Sequence, residues 1–265
     1  SKTIEKRYLK LGGTINYNST VKKTLVENNH AVGVRLADGS EYRSNVVISD
    51  IYAPTAIFDL LNGQYLDESI RRQFSKPIDV QGMGIQVWFG LERDLSKEPR
   101  ALILFLEKPI RIGDREYDRL AVELFGYDAS LAPVGKSILK VHLTTSYSYW
   151  KLLREQAEKY REEKQRVATV ILEVLEKRFP HITQEVEALD VATPMTVERY
   201  IGVSQAYESN LGLRGLMGLL KGQPKTLPGL GSFFMIGSSV GTPGVQGCAA
   251  MGRKVVNDIC SRGAA

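Results

Sequence analysis

Cysteine is nearly absent from the chain: the 265 residues contain two, Cys248 and Cys260, both in one predicted helix. Twelve helical positions separate them by about 18 Å, which is too far for a disulfide within that helix. The three histidines, His30, His142 and His181, lie far apart, and no Cys/His spacing matches a metal site. These absences exclude a disulfide scaffold and a structural metal module, and they favour a reducing compartment, which we predict to be the cytoplasm.

The sequence also lacks a long apolar run, a signal-peptide pattern at its start and any nucleophile triad or isolated carboxylate pair. Its net charge of +5 comes from lysine and arginine scattered along predicted helices without interleaved aromatics, so we expect no nucleic-acid partner. The basic balance could help contact with an anionic membrane surface, although solubility is the simpler explanation. With 43% hydrophobic and 25% charged residues, the composition is that of a globular protein.

What the chain does contain is a glycine-rich stretch near its end, Leu227–Arg253. The apolar run 233–236 predicts a buried strand, the small residues 237–244 predict a tight loop, and Val245 begins a pattern with helical spacing. The free N–H groups at such a helix start attract an anion or a polarised carbonyl. An ordinary strand-to-helix turn, in which glycine only relieves crowding, is the alternative. The apolar positions of the predicted helix are Val245, Ala249, Gly252, Val256 and Ile259.

The first 54 residues predict a helix and then a β-meander. The helix covers 3–11, and the predicted strands are 14–17, 19–26, 31–36, 41–43 and a fully buried strand at 45–49. The middle of the chain predicts a second sheet and more helices. Its strands are 82–91, 101–106, 120–125, 137–145 and 190–193, its helices are 54–75, 150–179 and 182–189, and a loop at 200–226 has one helical turn at 213–221.

This order of elements indicates an α+β or α/β fold with a discontinuous domain. Residues 1–54 and 226–265 form one layer, and residues 55–225 form an inserted domain of mixed sheet and helices.

Four segments carry a resemblance to a known family. They are GGTINYNSTVKKTLVENNHAVGVRLADGSEYRSNVVISD, LAPVGKSILKVHLTTSYSYW, ATPMTVERYIG and MIGSSVGTPGVQGCAAMGRKV. In this order they resemble the phytoene desaturase and retinol saturase-like branch of the flavin-containing amine oxidase superfamily. The resemblance implies that both chain ends belong to an FAD/NAD(P)-binding-type layer, and that the inserted domain binds a long apolar substrate.

The chain departs from the family pattern at two places. The strand–GxGxxG–helix unit that holds the flavin pyrophosphate is missing, so we expect the chain to be a C-terminal portion of a longer oxidoreductase. Many family members have an acid directly after the glycine of the closing loop, whereas this chain has Ser238 there, whose hydroxyl can still form a hydrogen bond.

The resemblance implies a set of FAD-binding residues. The amides of Val245 and Gln246 would face the flavin, Val21 would meet the adenine through its backbone, and Ser49 would lie near the nucleotide. The alternatives are a packing role for Val245, a core strand position for Val21 and strand-end capping by Ser49. The complete set is Val21, Ser49, Gly237, Ser238, Gly244, Val245 and Gln246.

A second set of residues would wall an apolar substrate channel or its approach. For the aromatic members the alternative is an ordinary core, and for Arg199 it is a surface ion pair with Glu198. The set is Trp88, Phe89, Phe105, Phe125, Tyr147, Arg199 and Tyr200.

The resemblance implies that the full-length protein transfers a hydride between an apolar, polyene-type substrate and FAD. The 265 residues alone are expected to retain FAD weakly or not at all and to be inactive. A non-catalytic module that binds an apolar ligand or a protein on the same scaffold is the alternative function. We predict a cytoplasmic location with peripheral membrane contact; substrate, reaction direction and oligomeric state stay open.

Overall fold

The computed structural model describes residues 2–68, 71, 81–202, 225–237, 240, 244–261 and 263, with the side chains of 81–83 left out. The chain forms two compact units, one comprising Ser1–Lys76 with Ser209–Ala265 and the other Pro77–Glu208. Each unit has its own hydrophobic core. The first unit is therefore discontinuous in sequence and the second is continuous.

The first unit begins with helix α1, Lys2–Lys10, which ends at the predicted glycine pair, and continues with a three-stranded antiparallel meander. Asn28 and Asn29, both with positive φ, form the tight turn between the first two strands, as asparagine permits. The strands are β1 (Val21–Glu27), β2 (His30–Leu36) and β3 (Glu41–Arg43). The predicted strand at 14–17 is wrong, because these residues pair with no strand in the described chain.

A two-stranded parallel sheet joins the two ends of the chain in this unit. Strand β4, Val47–Ser49, pairs with Phe233–Met235, the last strand in chain order. The predicted buried strand at 233–236 is confirmed, since all three residues of Phe233–Met235 are buried. The prediction that β4 is fully buried is wrong, because Ile48 is 42% exposed. A π-helical turn, Thr55–Leu60, follows β4 and packs Ile57 into the core.

The last helix of the chain, Val245–Ser261, begins where the sequence predicts, but its buried face differs. Ile259 is buried as predicted, but it shares the buried face with Met251 and Val255, whereas the predicted Val245 and Val256 are exposed. The two stripes lie about 100° apart on the helix, and both have helical spacing. Packing selects the stripe with the larger side chains, a choice that spacing alone cannot make.

The second unit is built on a five-stranded antiparallel sheet. Alternate residues of its central strands, such as Val87 and Val141, face the core and are fully buried, as alternation predicts. The strands are β5 (Gln81–Leu91), β6 (Ala101–Ile112), β7 (Arg115–Leu124), β8 (Ser137–Ser146) and β9 (Val186–Ala192), in the spatial order β6-β7-β8-β5-β9. Phe233–Met235 of the first unit is accordingly β10.

The helices of the second unit differ from those predicted. The single helix expected at 150–179 is two helices, α2 (Tyr147–Arg154) and α3 (Ala157–Arg178), separated at Glu155 and Gln156. The helix expected at 182–189 is wrong, because only a 3₁₀ turn, Ile182–Glu185, precedes β9.

Helix α4, Pro194–Ile201, was not predicted, although a capping box of Thr193 and Thr196 begins it. Helix Val245–Ser261 is therefore α5. The helix expected at 54–75 is wrong over 61–67, because the helical turns end at Leu60 and turns and bends follow. Residues 69–70 and 72–75 of that prediction, and the helical turn expected at 213–221, lie outside the described residues.

Candidate functional site

The first unit brings the carboxyl ends of β4 and β10 together. Met235 lies opposite Ser49 in the parallel register, and the Ile236 N–H donates to the Ser49 carbonyl at 2.9 Å. Asp50 follows β4 directly, and Gly237 lies two residues after β10. Ligands of α/β proteins bind outside such carboxyl ends, so this corner is the candidate site.

Gly237 lies against the carboxylate of Asp50. Its φ is +95°, and a Cβ at this position would overlap Asp50 Oδ1, so only glycine fits without movement. The sequence analysis does not predict Asp50 as a site residue. The signal available was an acid placed directly after a buried strand, and its carboxylate can accept hydrogen bonds from ligand hydroxyls.

Ser49 is buried at this corner, and its Oγ has no hydrogen-bond partner among the described residues. A capping role requires the hydroxyl to bond to a backbone group, and none of the described residues provides one. Buried hydroxyls are nearly always hydrogen-bonded in native proteins. The unpartnered Ser49 hydroxyl can therefore form a hydrogen bond with a bound ligand.

The first residues of helix α5 are exposed. Gly244 has a φ of +92°, and no atom of the described chain lies within 4 Å of where its Cβ would stand. Val245 is 89% exposed and Gln246 is exposed, so Val245 does not pack into the described part of this unit. The first turn carries no acidic side chain. Its N–H groups and the positive end of the helix dipole are therefore available to an anionic or polarised ligand.

Val21 begins β1 opposite Leu36 and is half-buried. The parallel bridge between His30 and Gly231 shows that β2 and β10 run in the same direction. Because β1 is antiparallel to β2, Val21 lies toward the end of the unit that carries Ser49 and Gly237. Its contact with adenine stays a prediction, and Ser238 lies outside the described residues.

The aromatic residues predicted to bind substrate separate onto two faces of the sheet in the second unit. Trp88 and Phe125 lie on its outer face with ring centroids 5.5 Å apart, and Lys140 Nζ lies 5.3 Å from the Trp88 ring. Lys140 is held by Glu123 at 2.8 Å. Phe105 is 74% exposed and lies beneath the Arg119 guanidinium.

Phe89 and Tyr147 belong to the core of this unit instead. The Tyr147 hydroxyl donates to Glu198 Oε2 at 2.9 Å, and burial together with this bond raises the pKa of Tyr147 to about 12. No ion pair joins Glu198 to Arg199 in the described chain; the Arg199 guanidinium lies 5.3 Å from the Tyr200 ring. Trp88, Phe105 and Phe125 can therefore form one wall of a substrate site.

His142 shares the outer face with Trp88, because the pairs Gln86–His142 and Trp88–Lys140 are two residues apart in one register. Its ring lies directly over Gly84, whose missing side chain leaves the space. Desolvation lowers the pKa of His142, nearby Lys140 lowers it further, and Glu123 opposes the shift. Nothing in the sequence pattern distinguishes this histidine from the other residues of its strand.

The sequence predicts neither a metal site nor a membrane-spanning helix, and the structure bears on these two predictions over the described residues only. No group of His, Cys, Asp and Glu among them could hold a metal ion. None of the helices in the described ranges has the length and apolar character needed to cross a membrane.

Comparison with known proteins identifies solved structures that share this fold. No family model matches the chain. A redesigned putrescine oxidase matches with a TM-score of 0.64 at 14% identity, over 98% of this chain and 52% of its own. An oxidoreductase from Methanosarcina mazei matches with a TM-score of 0.57 at 19% identity, over 97% of this chain and 53% of its own. The fold, with its strand–loop–helix corner and separate sheet unit, is that of FAD-dependent oxidoreductases.

Curated relatives narrow the class. The chloroplastic prolycopene isomerases of Arabidopsis thaliana and Daucus carota are 26% and 27% identical over 242 residues, which is 90% of this chain. The chain spans 40% and 39% of their lengths. The resemblance predicted from the four motifs is confirmed: the chain is similar in sequence to these prolycopene isomerases and similar in fold to these oxidoreductases.

Proposed function

We propose that this chain supplies the closing strand–loop–helix of an FAD site and the substrate unit of a phytoene desaturase-like oxidoreductase. The observation that carries the proposal is that one unit contains both the unpartnered Ser49 hydroxyl and the exposed first turn of α5. The backbone of Gly244, Val245 and Gln246 would hold an electron-rich edge of the flavin, and Ser49 and Asp50 would bond its hydroxyl-bearing portion. When bound, FAD supplies the hydride transfer to or from a substrate carbon.

The substrate in this proposal is an apolar polyene. The outer face of the five-stranded sheet offers Trp88, Phe105 and Phe125, whose rings give a long molecule flat apolar contact. The names of the curated relatives concern prolycopene, a carotenoid, which supports this substrate class. Those names also describe isomerisation. Mass spectrometry of the product would distinguish the two reactions, since desaturation removes hydrogen and isomerisation does not.

A parallel pair such as β4 and β10 is normally covered on both faces by further elements. Ile48 of this pair is exposed instead, which supports the proposal that the FAD domain needs residues beyond these 265. We therefore expect tight FAD binding by the full-length protein and weak or no retention by this chain. Its location stays open, since the relatives are chloroplastic and a cytoplasmic one is our prediction.

The test is the flavin content of the full-length gene product and two variants. Gly244→Ala introduces a side chain at positive φ in the open corner, and we expect it to lower FAD retention at least tenfold. Gly252→Ala is the matched control, because Gly252 lies within α5, where alanine fits and no described atom would meet its Cβ. A yellow wild type and control with a colourless Gly244→Ala variant supports the proposal. Equal flavin content in all three would contradict the assigned corner.

A non-catalytic apolar-ligand module is the second candidate. Ser238 replaces the acid that many family members have, and this observation favours a lost redox site. A colourless full-length protein that still binds carotenoid would select this candidate over the first.

Helix α1 supports the proposed membrane contact. It carries Lys2, Lys6, Arg7 and Lys10 beside exposed Ile4, Tyr8 and Leu9, which is typical of helices that lie in a membrane interface. Binding to vesicles that contain anionic lipid should weaken with added salt. Equal binding to neutral vesicles at high salt would contradict an electrostatic contribution.

A further inference from the structure

The outer face of the five-stranded sheet carries a lysine beside two aromatic rings. Lys140 of β8 lies opposite Trp88 of β5 on one side and opposite Glu123 of β7 on the other. Side chains directly opposite each other on neighbouring strands point to the same face of a sheet, so these three stand abreast. The ring of Phe125 packs on that of Trp88 and completes a cluster of four side chains.

The Lys140 ammonium approaches both rings at once. Its Nζ lies 5.3 Å from the ring centroid of Trp88 and 5.9 Å from that of Phe125, and the two centroids are 5.5 Å apart. A cation within about 6 Å of a ring centroid is attracted by the quadrupole of the ring. The three groups therefore form a nearly equilateral triangle, in which one charge attracts both rings.

The ammonium is itself fixed in place by Glu123. Nζ lies 2.8 Å from Glu123 Oε2, the carboxylate with which Lys140 pairs in the described chain, and the Lys140 side chain is 16% exposed. Lysine usually keeps its charged head in water, whereas this one is largely covered. Because water screens a covered charge less, its attraction for the rings is stronger than that of a solvated lysine.

Phe105, the third aromatic residue of the proposed substrate wall, has a cation without these constraints. The Arg119 guanidinium lies 5.6 Å from its ring, but the Arg119 side chain is 57% exposed and pairs with its chain neighbour Asp118. An exposed pair of this kind contributes little to holding a side chain in one position. Trp88 and Phe125 are therefore the part of the wall whose geometry a sheltered charge fixes.

We propose that Lys140 is a positioning residue of the substrate site: its ammonium, anchored by Glu123, holds the Trp88 and Phe125 rings in the arrangement that receives the polyene. This inference rests on the proposed function, which assigns the two rings to the substrate wall. Rings that are ordered before the polyene binds lose less conformational freedom when it does, so binding is tighter. Lys140 acts on the substrate through the rings.

Time-resolved fluorescence anisotropy of the 265-residue chain tests the effect on the rings. The chain has two tryptophans, Trp88 and the fully buried Trp150, and a Trp88→Phe variant gives the signal of Trp150 for subtraction. We expect Lys140→Gln to give Trp88 a fast depolarisation that the wild type lacks. Lys140→Arg should remove it again, because a guanidinium can pair with Glu123 and stack on the rings.

Lys164→Gln is the matched control. Lys164 Nζ lies 5.9 Å from the Tyr160 ring on α3, which packs against the other face of the sheet. The same substitution thus removes a cation from a ring away from the wall and should leave the motion of Trp88 unchanged. Urea unfolding checks that each variant is folded. Equal Trp88 motion in the wild type, Lys140→Gln and Lys164→Gln would overturn the proposal.

Binding of prolycopene, supplied in detergent micelles to the full-length gene product, tests the effect on the substrate site. We expect Lys140→Gln to weaken binding about tenfold and Lys140→Arg to restore it. Glu123→Gln keeps the lysine but loses the charged anchor, so its effect should have the same direction and be smaller. A wild type that binds no prolycopene would contradict the proposed substrate. A wild type and a Lys140→Gln variant that bind it equally well would contradict the role of Lys140 alone.

Discussion

Gly84 and His142 form the closest fit on the outer face of the second unit's sheet. A Cβ at position 84 would overlap Nε2 of the imidazole across the strand pair. We expect Gly84→Ala to lower the free energy of unfolding by at most about 1 kcal/mol, because the exposed His142 ring must leave its position but can swing toward solvent. Urea denaturation measures this value. In the double variant Gly84→Ala/His142→Ala the cost should be smaller than the sum of the single costs, and strict additivity would argue against the contact.

The desolvation of His142, with Lys140 nearby, makes stability depend on pH. The pKa of folded His142 lies below its ordinary value of about 6.5, so the folded protein binds this proton less readily than the unfolded chain. The free energy of unfolding should therefore fall as pH decreases from about 6.5 toward the lowered pKa. His142→Gln should flatten this slope in unfolding curves measured across the window. An unchanged slope would show that other groups produce the acid sensitivity.

At the scale of residues, the sequence predicted where the strand–loop–helix corner lies but not every residue that lines it. The glycines before α5 indicated an open helix start, and Gly244 has the positive φ that this requires. Asp50 and His142 could not be identified, because their significance comes from a neighbour on another strand. Phe89 and Trp88 show the same limit: alternation places them on opposite faces but does not say which face a ligand could reach.

At the scale of elements, a polar network fixes the β6–β7 hairpin against α2. The Thr145 hydroxyl donates to Asp114 Oδ1 at 2.9 Å and accepts from Trp150 Nε1 at 2.9 Å. Thr145 and Trp150 are fully buried. The network therefore couples a strand end, a turn and a helix.

Thr145→Val tests this coupling. The valine keeps the volume but leaves the Trp150 N–H without its partner in the core, so we expect a loss of about 1–3 kcal/mol in the free energy of unfolding. Thr169→Val is the control, since that exposed hydroxyl bonds only to the Gln165 carbonyl within α3, and its change should stay within about 0.5 kcal/mol. Similar losses for both variants would contradict the network's contribution.

Strands were predicted better than helices at this scale. The strands predicted at 82–91 and 137–145 match β5 and β8 to within one residue at each end, because a half-buried strand alternates apolar and polar residues. The break between α2 and α3 was missed because no proline or glycine marks it; the chain turns at Glu155 and Gln156 so that Trp150 is buried. The sequence predicts a helix that includes 186–189, yet pairing with β5 makes this segment a strand.

At the scale of the whole molecule, the discontinuous architecture follows from one pairing. Strands β4 and β10 are about 180 residues apart in the sequence and lie side by side. A sequence shows two short apolar runs but not that they pair; the order of elements indicated a discontinuous domain, and the structure shows the pairing. The comparisons confirm the fold class.

The two units differ in what they should do when separated. The second unit is one continuous segment with its own core, which includes Trp150, Phe89 and Leu139, and its sheet is antiparallel throughout. We expect residues 77–208, expressed alone, to fold and to unfold cooperatively in urea, because the buried apolar surface needed for stability lies within this segment.

Coincident transitions in far-UV circular dichroism and tryptophan fluorescence would establish cooperative folding of this fragment. Thr145→Val in the fragment should lower the midpoint as it does in the full chain, which ties the transition to the native core. The matched control is the other unit, made by joining residues 1–76 to 209–265. Its parallel pair is short and Ile48 is exposed, so we expect it to be the less stable of the two. A disordered 77–208 fragment beside a folded partner would contradict the assignment of an independent core.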